Sequence, residues 1–325
     1  MQPVLAIDLG GTKIAAAIIN KAEVIAREYF PTVAAEGPQP VISRIFSGID
    51  RLLGQSNMDV SQLDSISIAA AGAVDNNGVV TSSPNLPGWS NVPLRDIVAK
   101  RYGVDVFAVN DASAAALGEH RLGAGRGTKN LVYLTVSTGI GGGIIINGEL
   151  YLGTSGCAGE IGHMTVDINA TRCNCGNFGC LELLASGTAV AKEAIKRISY
   201  GEESSLTSMV AGKLETITAE KVAEAARGSD SLASDVIYRA ATALGVGMVN
   251  LVNIFNPEMI VVGGGMSKMG DLLLEPAREV VRSRAFQLCA RAVQIVPAQL
   301  GNDGGVLGAA IFAREQKSER YDEGA

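Results

Sequence analysis

Two α/β domains are the architecture this sequence predicts, and three observations carry the prediction. The length of 325 residues exceeds what one hydrophobic core usually organises. Apolar runs of strand character alternate with stretches of helical spacing, the order from which helix-covered sheets are built. One local pattern also occurs twice, over residues 4–20 and 131–147: an apolar strand, a glycine turn and a second apolar run that closes on asparagine. A repeat at that separation reads as a pair of duplicated domains.

Val4, Leu5, Ala6, Ile7 and Leu9 form a strand interrupted by Asp8; Gly10, Gly11 and Thr12 turn the chain, and residues 14–19 continue as its neighbour. From Pro40 the apolar positions Val41, Ile42, Ile45, Phe46, Ile49, Leu52 and Leu53 keep helical spacing as far as Gly54, a helix that covers the first sheet. Residues 65–71 and 104–109 read as buried strands, and Asp111 opens an alanine-rich helix toward Leu122. The second copy follows: a strand over 131–136, a glycine-rich loop over 137–143 and a strand over 144–147. Helices are then expected over 186–198, 219–227 and 231–255, a strand over 259–262, a helix over 272–284 and a strand over 293–296. A turn over 301–305 precedes a closing helix to Lys317, and the polar residues 318–325 are expected to fray.

Composition narrows the function. With 47% apolar and 18% charged residues the chain is soluble and globular, and 39 glycines suit tight turns and close backbone approach to a ligand. A net charge of -6 and no Lys/Arg run longer than two oppose nucleic-acid binding. Asp8 breaks the first apolar run and no basic stretch precedes it, so no targeting segment is read. Residues 244–255 are too short to span a bilayer and carry Asn250 and Asn253, which makes them a buried helix and not a membrane segment.

The most informative run lies between residues 160 and 182. His163, Cys173, Cys175 and Cys180 offer one imidazole and three thiolates, a set that suits tetrahedral Zn2+ with no position left for a reactive water. Such a site is structural, and Glu160 and Glu182 flank it closely enough to be held by it. Cys157 and Cys289 remain as free thiols, consistent with a reducing cytoplasm.

Three glycine-rich turns, Gly10-Gly11-Thr12, the 137–143 loop with Thr138 and Gly139, and Gly263-Gly264-Gly265, follow expected strands. Each is either an ordinary turn or a place where backbone N–H groups meet phosphate oxygens. Asp8 reads equally as a turn cap or as a carboxylate for a metal-bound nucleotide. Asn110-Asp111, at the end of a strand and the start of a helix, is either an N-cap or the carboxylate that deprotonates an attacking hydroxyl.

In their order and over nearly the full chain, the Asp8-Leu9-Gly10-Gly11-Thr12-Lys13 start, the Asn110-Asp111 pair, the 137–143 loop, the Glu160-x-Gly-His163 turn and the Cys173-x-Cys-Gly-x-x-Gly-Cys180-Leu-Glu182 run resemble the ROK family of sugar kinases and repressors. The resemblance implies an actin-like ATPase (ribonuclease H-like) fold of two α/β domains with an interdomain cleft for ATP and Mg2+. It divides the chain into a small domain, 1–110 plus 302–325, and a large one, 111–301, that carries the structural zinc. By matched position Asp111 is the catalytic base, with Asn110 beside it, and Glu160, His163 and Glu182 bind sugar hydroxyls. His163 then gives one ring nitrogen to zinc and the other to the sugar.

Gly72 also approaches the sugar in this reading. Asn85 matches a sugar-contacting asparagine of the family's glucokinases, although Pro84-Asn85-Leu86-Pro87-Gly88-Trp89 reads equally as a turn packing the only tryptophan. Asp8, Gly10, Gly11, Thr12, Lys13, Thr138, Gly139, Gly263, Gly264 and Gly265 fall to the nucleotide.

The expected activity is therefore ATP-dependent phosphorylation of glucose at its 6-hydroxyl. N-acetylmannosamine is the alternative, because Glu160 does not exclude it, and mannose, fructose and N-acetylglucosamine stand beside it. A sugar-responsive repressor is a third class, opposed by the acidic balance and by a first strand that begins at Val4. The resemblance further implies a homodimer or homotetramer.

Overall fold

Strand β1 (Val4–Leu9) buries every side chain except that of Asp8, which requires sheet neighbours on both edges. In the computed structural model, which describes residues 2–323, they are present. Strand β2 (Lys13–Asn20) pairs antiparallel with β1 and turns at Lys21, φ 55°, into β3 (Glu23–Pro31). Helix α1 (Pro38–Gln55) buries Val41, Ile42, Ile45, Ile49, Leu52 and Leu53, as its spacing predicted. Strand β4 (Ser65–Ala70) joins β1 in parallel, and β5 (Ala73–Val74), β6 (Val80–Ser82) and β7 (Ser90–Val92) form a small separate sheet. After α2 (Leu94–Tyr102), β8 (Val106–Asn110) pairs in parallel with β4 and runs directly into α3 (Asp111–Leu122).

The pattern then recurs with β9 (Leu131–Val136), β10 (Ile140–Ile146) and β11 (Glu149–Leu150). Helices α4 (Glu182–Ala185), α5 (Gly187–Ser199), α6 (Leu206–Met209), α7 (Ala219–Arg227) and α8 (Ser231–Phe255) precede β12 (Met259–Gly263). Then come α9 (Asp271–Arg284), α10 (Gln287–Ala292), β13 (Gln294–Pro297) and α11 (Gly304–Glu323). The sheet orders are β3-β2-β1-β4-β8 and β11-β10-β9-β12-β13, so each places its strands third, second, first, fourth, fifth. That shared order makes the repeated strand–turn–strand pattern a repeat of the fold, and it is the strand order of the actin-like ATPase (ribonuclease H-like) class.

Two compact units result: one of Met1–Gly127, Gly143–Gly159 and Gln299–Ala325, the other of Thr128–Gly142 and Glu160–Ala298. Each has its own core, the first built on Leu5, Ile7, Ile18, Ile45 and Ile68, the second on Val132, Leu134, Leu244, Met248 and Ile260. The first unit retains α3, whereas the expected break fell after residue 110. The reason is small-residue packing between α3 and α11: a Cβ at Gly308 would lie 1.7 Å from the Ala114 carbonyl oxygen, and one at Gly118 2.7 Å from that of Gly304. In the second unit α8 buries Leu232, Val236, Ile237, Leu244, Met248 and Leu251. Among the described residues it is the one helix long and apolar enough to cross a membrane, and here it is a core helix.

Several expectations are corrected. Strand β3, helix α2 and the small sheet were not foreseen. The loop expected over 137–143 is a turn of three residues, because Ile140 already begins β10. Gly304 and Gly305 are the first helical residues of α11, not part of a turn, and α11 runs on through Glu323 instead of ending at Lys317. Residues 324 and 325 of the expected frayed end lie outside the described residues.

Candidate functional site

In the first unit the Gly10-Gly11-Thr12 turn is tied by Gly10 N–H donating to the Lys13 carbonyl at 3.2 Å and by Thr32 Oγ1 donating to the Gly10 carbonyl at 2.6 Å. Asp8 enters beneath it, against the start of α11, where a Cβ at Gly305 would lie 2.7 Å from Asp8 Oδ2. Burial pushes the Asp8 carboxyl up from 3.8 to about 6, and the nearby Lys13 charge opposes that rise. Gly11 approaches the 84–89 turn so closely that a Cβ there would meet the Asn85 carbonyl oxygen at 2.8 Å. That turn packs the only tryptophan, as one of its two readings required. It buries Leu86 and Trp89, and it leaves Asn85 exposed beside the glycine turn.

Asn110 caps α3, its Oδ1 accepting from Ser113 N–H at 3.0 Å, while its Nδ2 donates to the Gly72 carbonyl at 2.9 Å and to Asp111 Oδ1 at 3.1 Å. Ala112 N–H also donates to Asp111 Oδ1, at 2.8 Å. The N-cap reading of this pair is therefore correct for Asn110, and it is what orients the carboxylate of Asp111. Gly72, at φ 114°, is placed where a Cβ would sit 2.4 Å from the Ser82 carbonyl oxygen. Gly72, Asn110 and Asp111 thus form one hydrogen-bonded group.

In the second unit the β9–β10 turn is pinned from two sides. Glu182 Oε2 accepts from Ile140 N–H at 2.8 Å, and a Cβ at Gly139 would be 2.2 Å from the same oxygen. Gly187 N–H donates to the Ser137 carbonyl at 2.7 Å, and Thr188 Oγ1 to the Thr138 carbonyl at 2.7 Å. The Gly263-Gly264-Gly265 turn closes against β9, since a Cβ at Gly264, φ 82°, would lie 2.4 Å from the Val136 carbonyl oxygen. A cavity of about 510 Å³ opens between these turns and the starts of α5 and α7, lined by Thr138, Gly265, Thr188, Lys192, Thr218 and Glu220 among others. Its volume is in the range of small-molecule sites. Thr138 and Gly265 line it; Gly139, Gly263 and Gly264 shape its walls without doing so.

The four proposed metal ligands converge although His163 and Cys180 are 17 positions apart. Their donor atoms all lie within 4.8 Å of one another. Cys173 Sγ is 3.8 Å from His163 Nδ1 and Cys175 Sγ is 3.6 Å from Cys180 Sγ. The segment folds on itself through Cys173 N–H to the Asn177 carbonyl (2.7 Å), and Asn177 Nδ2 donates back to the His163 carbonyl at 3.1 Å. Gly179, φ 63°, lets the chain pass Asp167, whose carbonyl oxygen a Cβ would meet at 1.7 Å. Burial pushes the Cys180 thiol up to about 12, while an N–H from Asn177 pulls Cys175 down. One imidazole and three sulfurs at these separations fit tetrahedral Zn2+.

His163 presents its other nitrogen elsewhere: Nε2 is 3.9 Å from Glu160 Oε2. The Glu160 carboxyl is held above its usual range, chiefly by desolvation, which His163 opposes and Glu182 reinforces. Sequence reading missed Thr188, Lys192, Thr218, Glu220 and Lys268 of the cavity. One usable signal was Ser186, whose side chain caps α5 beside the β9–β10 turn.

Comparison with known proteins gives a consistent result. The model described as the ROK family matches residues 4–316. A glucokinase of Thermotoga maritima is 38% identical over 315 residues, covering 96% of this chain and 97% of that protein. A crystal structure of a ROK family glucokinase from Streptomyces griseus, in complex with glucose and AMPPNP, superposes with a TM-score of 0.84 at 34% identity, over 96% of this chain and 99% of that one. A xylose repressor of Caldicellulosiruptor bescii is 35% identical over 307 residues, which are 94% of this chain and 76% of the repressor.

Proposed function

This chain belongs to the ROK family, and we propose that it is an ATP-dependent sugar kinase that phosphorylates glucose at the 6-hydroxyl. The observation that carries the proposal is likeness over 96% of the chain to a kinase whose structure holds glucose together with AMPPNP, in which an imido bridge stands in for the β–γ oxygen of ATP.

The residues divide the work by chemistry. Asp111 takes the proton of the 6-hydroxyl as that oxygen bonds to the γ-phosphorus and the bond to the β-phosphate oxygen breaks. Two N–H donors to Asp111 Oδ1 fix the plane of the carboxylate before the sugar arrives. Asn85, Asn110, Glu160, His163 and Glu182 bind and orient sugar hydroxyls, with Gly72 giving the ring room. Backbone N–H groups of Gly10, Gly11, Thr12 and Gly139, with the Thr138 hydroxyl and Lys13, receive the phosphates. The cavity behind Thr138 and Gly265 takes the nucleoside end. Mg2+ bound with the nucleotide would neutralise phosphate charge, and Asp8 would be the carboxylate that holds its hydration shell. His163, Cys173, Cys175 and Cys180 would hold Zn2+, which would fix the imidazole tautomer and leave His163 Nε2, beside Glu160, for the sugar.

The repressor likeness offers a second reading. Asp111 at the start of α3 and the nucleotide-sized cavity favour the kinase, since a repressor needs neither. The proposal extends to a cytoplasmic homodimer or homotetramer, and the five cysteines, all unpaired, suit a reducing compartment. A panel of glucose, mannose, fructose, N-acetylglucosamine and N-acetylmannosamine, ranked by kcat/KM in a coupled ADP-release assay, tests the assignment. Glucose is expected to rank first; N-acetylmannosamine ranking first would overturn it.

A further inference from the structure

The sheet face that carries Asp8 and Lys13 also carries Tyr29 and Arg27, which with Asp303 form a cluster that the reaction as described does not use. Pairing sets Asp8 opposite Ala15, Ala15 opposite Tyr29 and Ala17 opposite Arg27, so by the two-residue period of strands Asp8, Lys13, Tyr29 and Arg27 project from one face. There Lys13 Nζ lies 5.1 Å from the centroid of the Tyr29 ring, and the Arg27 guanidinium carbon lies 5.6 Å from it. Arg27 Nη1 donates to Tyr29 Oη at 3.1 Å. Arg27 is itself held by Asp303 at 2.7 Å, two residues before the Gly305 position that abuts Asp8. From Asp303 to Asp8 the face therefore reads carboxylate, guanidinium, ring, ammonium, carboxylate.

Lys13 immediately follows the Gly10-Gly11-Thr12 turn and is exposed, so its four-carbon stem has many rotamers to choose from. A π-face within cation–π range narrows that choice without neutralising the charge. The ring is braced in turn, because the Arg27–Asp303 ion pair and the hydroxyl hydrogen bond limit its rotation. Tyr29 is 46% exposed, too open for its role to be core packing.

We infer that Tyr29 is a positioning residue for phosphoryl transfer: its ring holds the Lys13 ammonium beside Asp8, where that ammonium meets the phosphate chain of bound ATP. The inference rests on the kinase reading above. It assigns to β3, an edge strand otherwise remote from the chemistry, control over the nucleotide and not over the sugar. Leucine at position 29 would keep the strand and much of the bulk but lose the quadrupole, whereas phenylalanine would keep the ring and lose only the tie to Arg27.

The test compares full-length Tyr29→Leu, Tyr29→Phe, Lys13→Met and the Tyr29→Leu/Lys13→Met double variant by steady-state kinetics, with AMPPNP affinity measured by calorimetry in the absence of sugar. Tyr29→Leu should raise KM for ATP and the AMPPNP Kd by about two- to fivefold, the range expected of an exposed cation–π contact, and leave KM for glucose unchanged. Tyr29→Phe should recover most of the loss, and the double variant should be no worse than Lys13→Met alone. Equal effects on both substrates, losses in Tyr29→Leu and Lys13→Met that add, or no change in Tyr29→Leu would each overturn the proposal. Because AMPPNP binding is read without sugar, the result stands apart from whether glucose is the acceptor.

Discussion

Replacing Asp8 with asparagine should make the nucleotide-free protein more stable while impairing its use of ATP. The magnitude follows from the position of the carboxyl, which burial raises from 3.8 to about 6. At about 1.4 kcal/mol per pH unit, that difference corresponds to about 3 kcal/mol held against the ionised form. The sign is set by a folded value above the unfolded one. The favourable contribution of the neutral acid is complete below 3.8 and is lost as pH rises through about 6. Asp8 retains some accessible surface, so about 3 kcal/mol is an upper limit. For a chain of this length it corresponds to a rise in Tm of about 4 °C at most. Asparagine carries no charge at any pH, so the gap between variant and wild type should be widest at pH 8 and shrink to about a fifth of that near pH 4. Calorimetric melts of both proteins from pH 4 to 8 without nucleotide measure this, alongside kcat/KM for ATP, which should fall. A gap that is absent at pH 8, or that is equal at pH 4 and pH 8, would refute the account of Asp8.

Two further substitutions separate chemistry from scaffold. Asp111→Ala should lower kcat by about 10²- to 10⁴-fold while glucose affinity by calorimetry changes little, and wild-type turnover would remove Asp111 from the role of base. Cys175→Ala should lose the zinc that elemental analysis is expected to find at one per chain, and should weaken glucose binding about tenfold or more before it weakens AMPPNP binding. Active wild-type protein without zinc would reject the metal site.

What the sequence disclosed depended on how local each signal was. The strand–turn–strand pattern of β1–β2 and β9–β10 is written in consecutive residues, and both sheets obey it. The four proposed metal ligands lie within one short segment, and their donor atoms converge within 4.8 Å. Strand β3 escaped notice because Glu23, Arg27 and Glu28 mask an edge strand that is only half buried. Helix α2 escaped because only Leu94 and Val98 are buried along it. The cavity beside the β9–β10 turn gathers Thr188, Lys192, Thr218 and Lys268 from about 80 residues of chain, each unremarkable alone. The assignment of α3 to the first unit depends on Gly118 meeting Gly304 and on Gly308 meeting Ala114, contacts between residues nearly 200 positions apart that no periodicity announces.

The central claim is that this chain transfers the terminal phosphoryl group of ATP to one particular oxygen of glucose. Incubation of the purified protein with glucose, ATP and Mg2+, followed by NMR of the product, reads it directly. The account predicts one phosphorylated sugar with phosphorus coupled to the carbon-6 protons, formed in step with ADP. Glucose that is recovered unchanged, or phosphate on any other carbon, would contradict it.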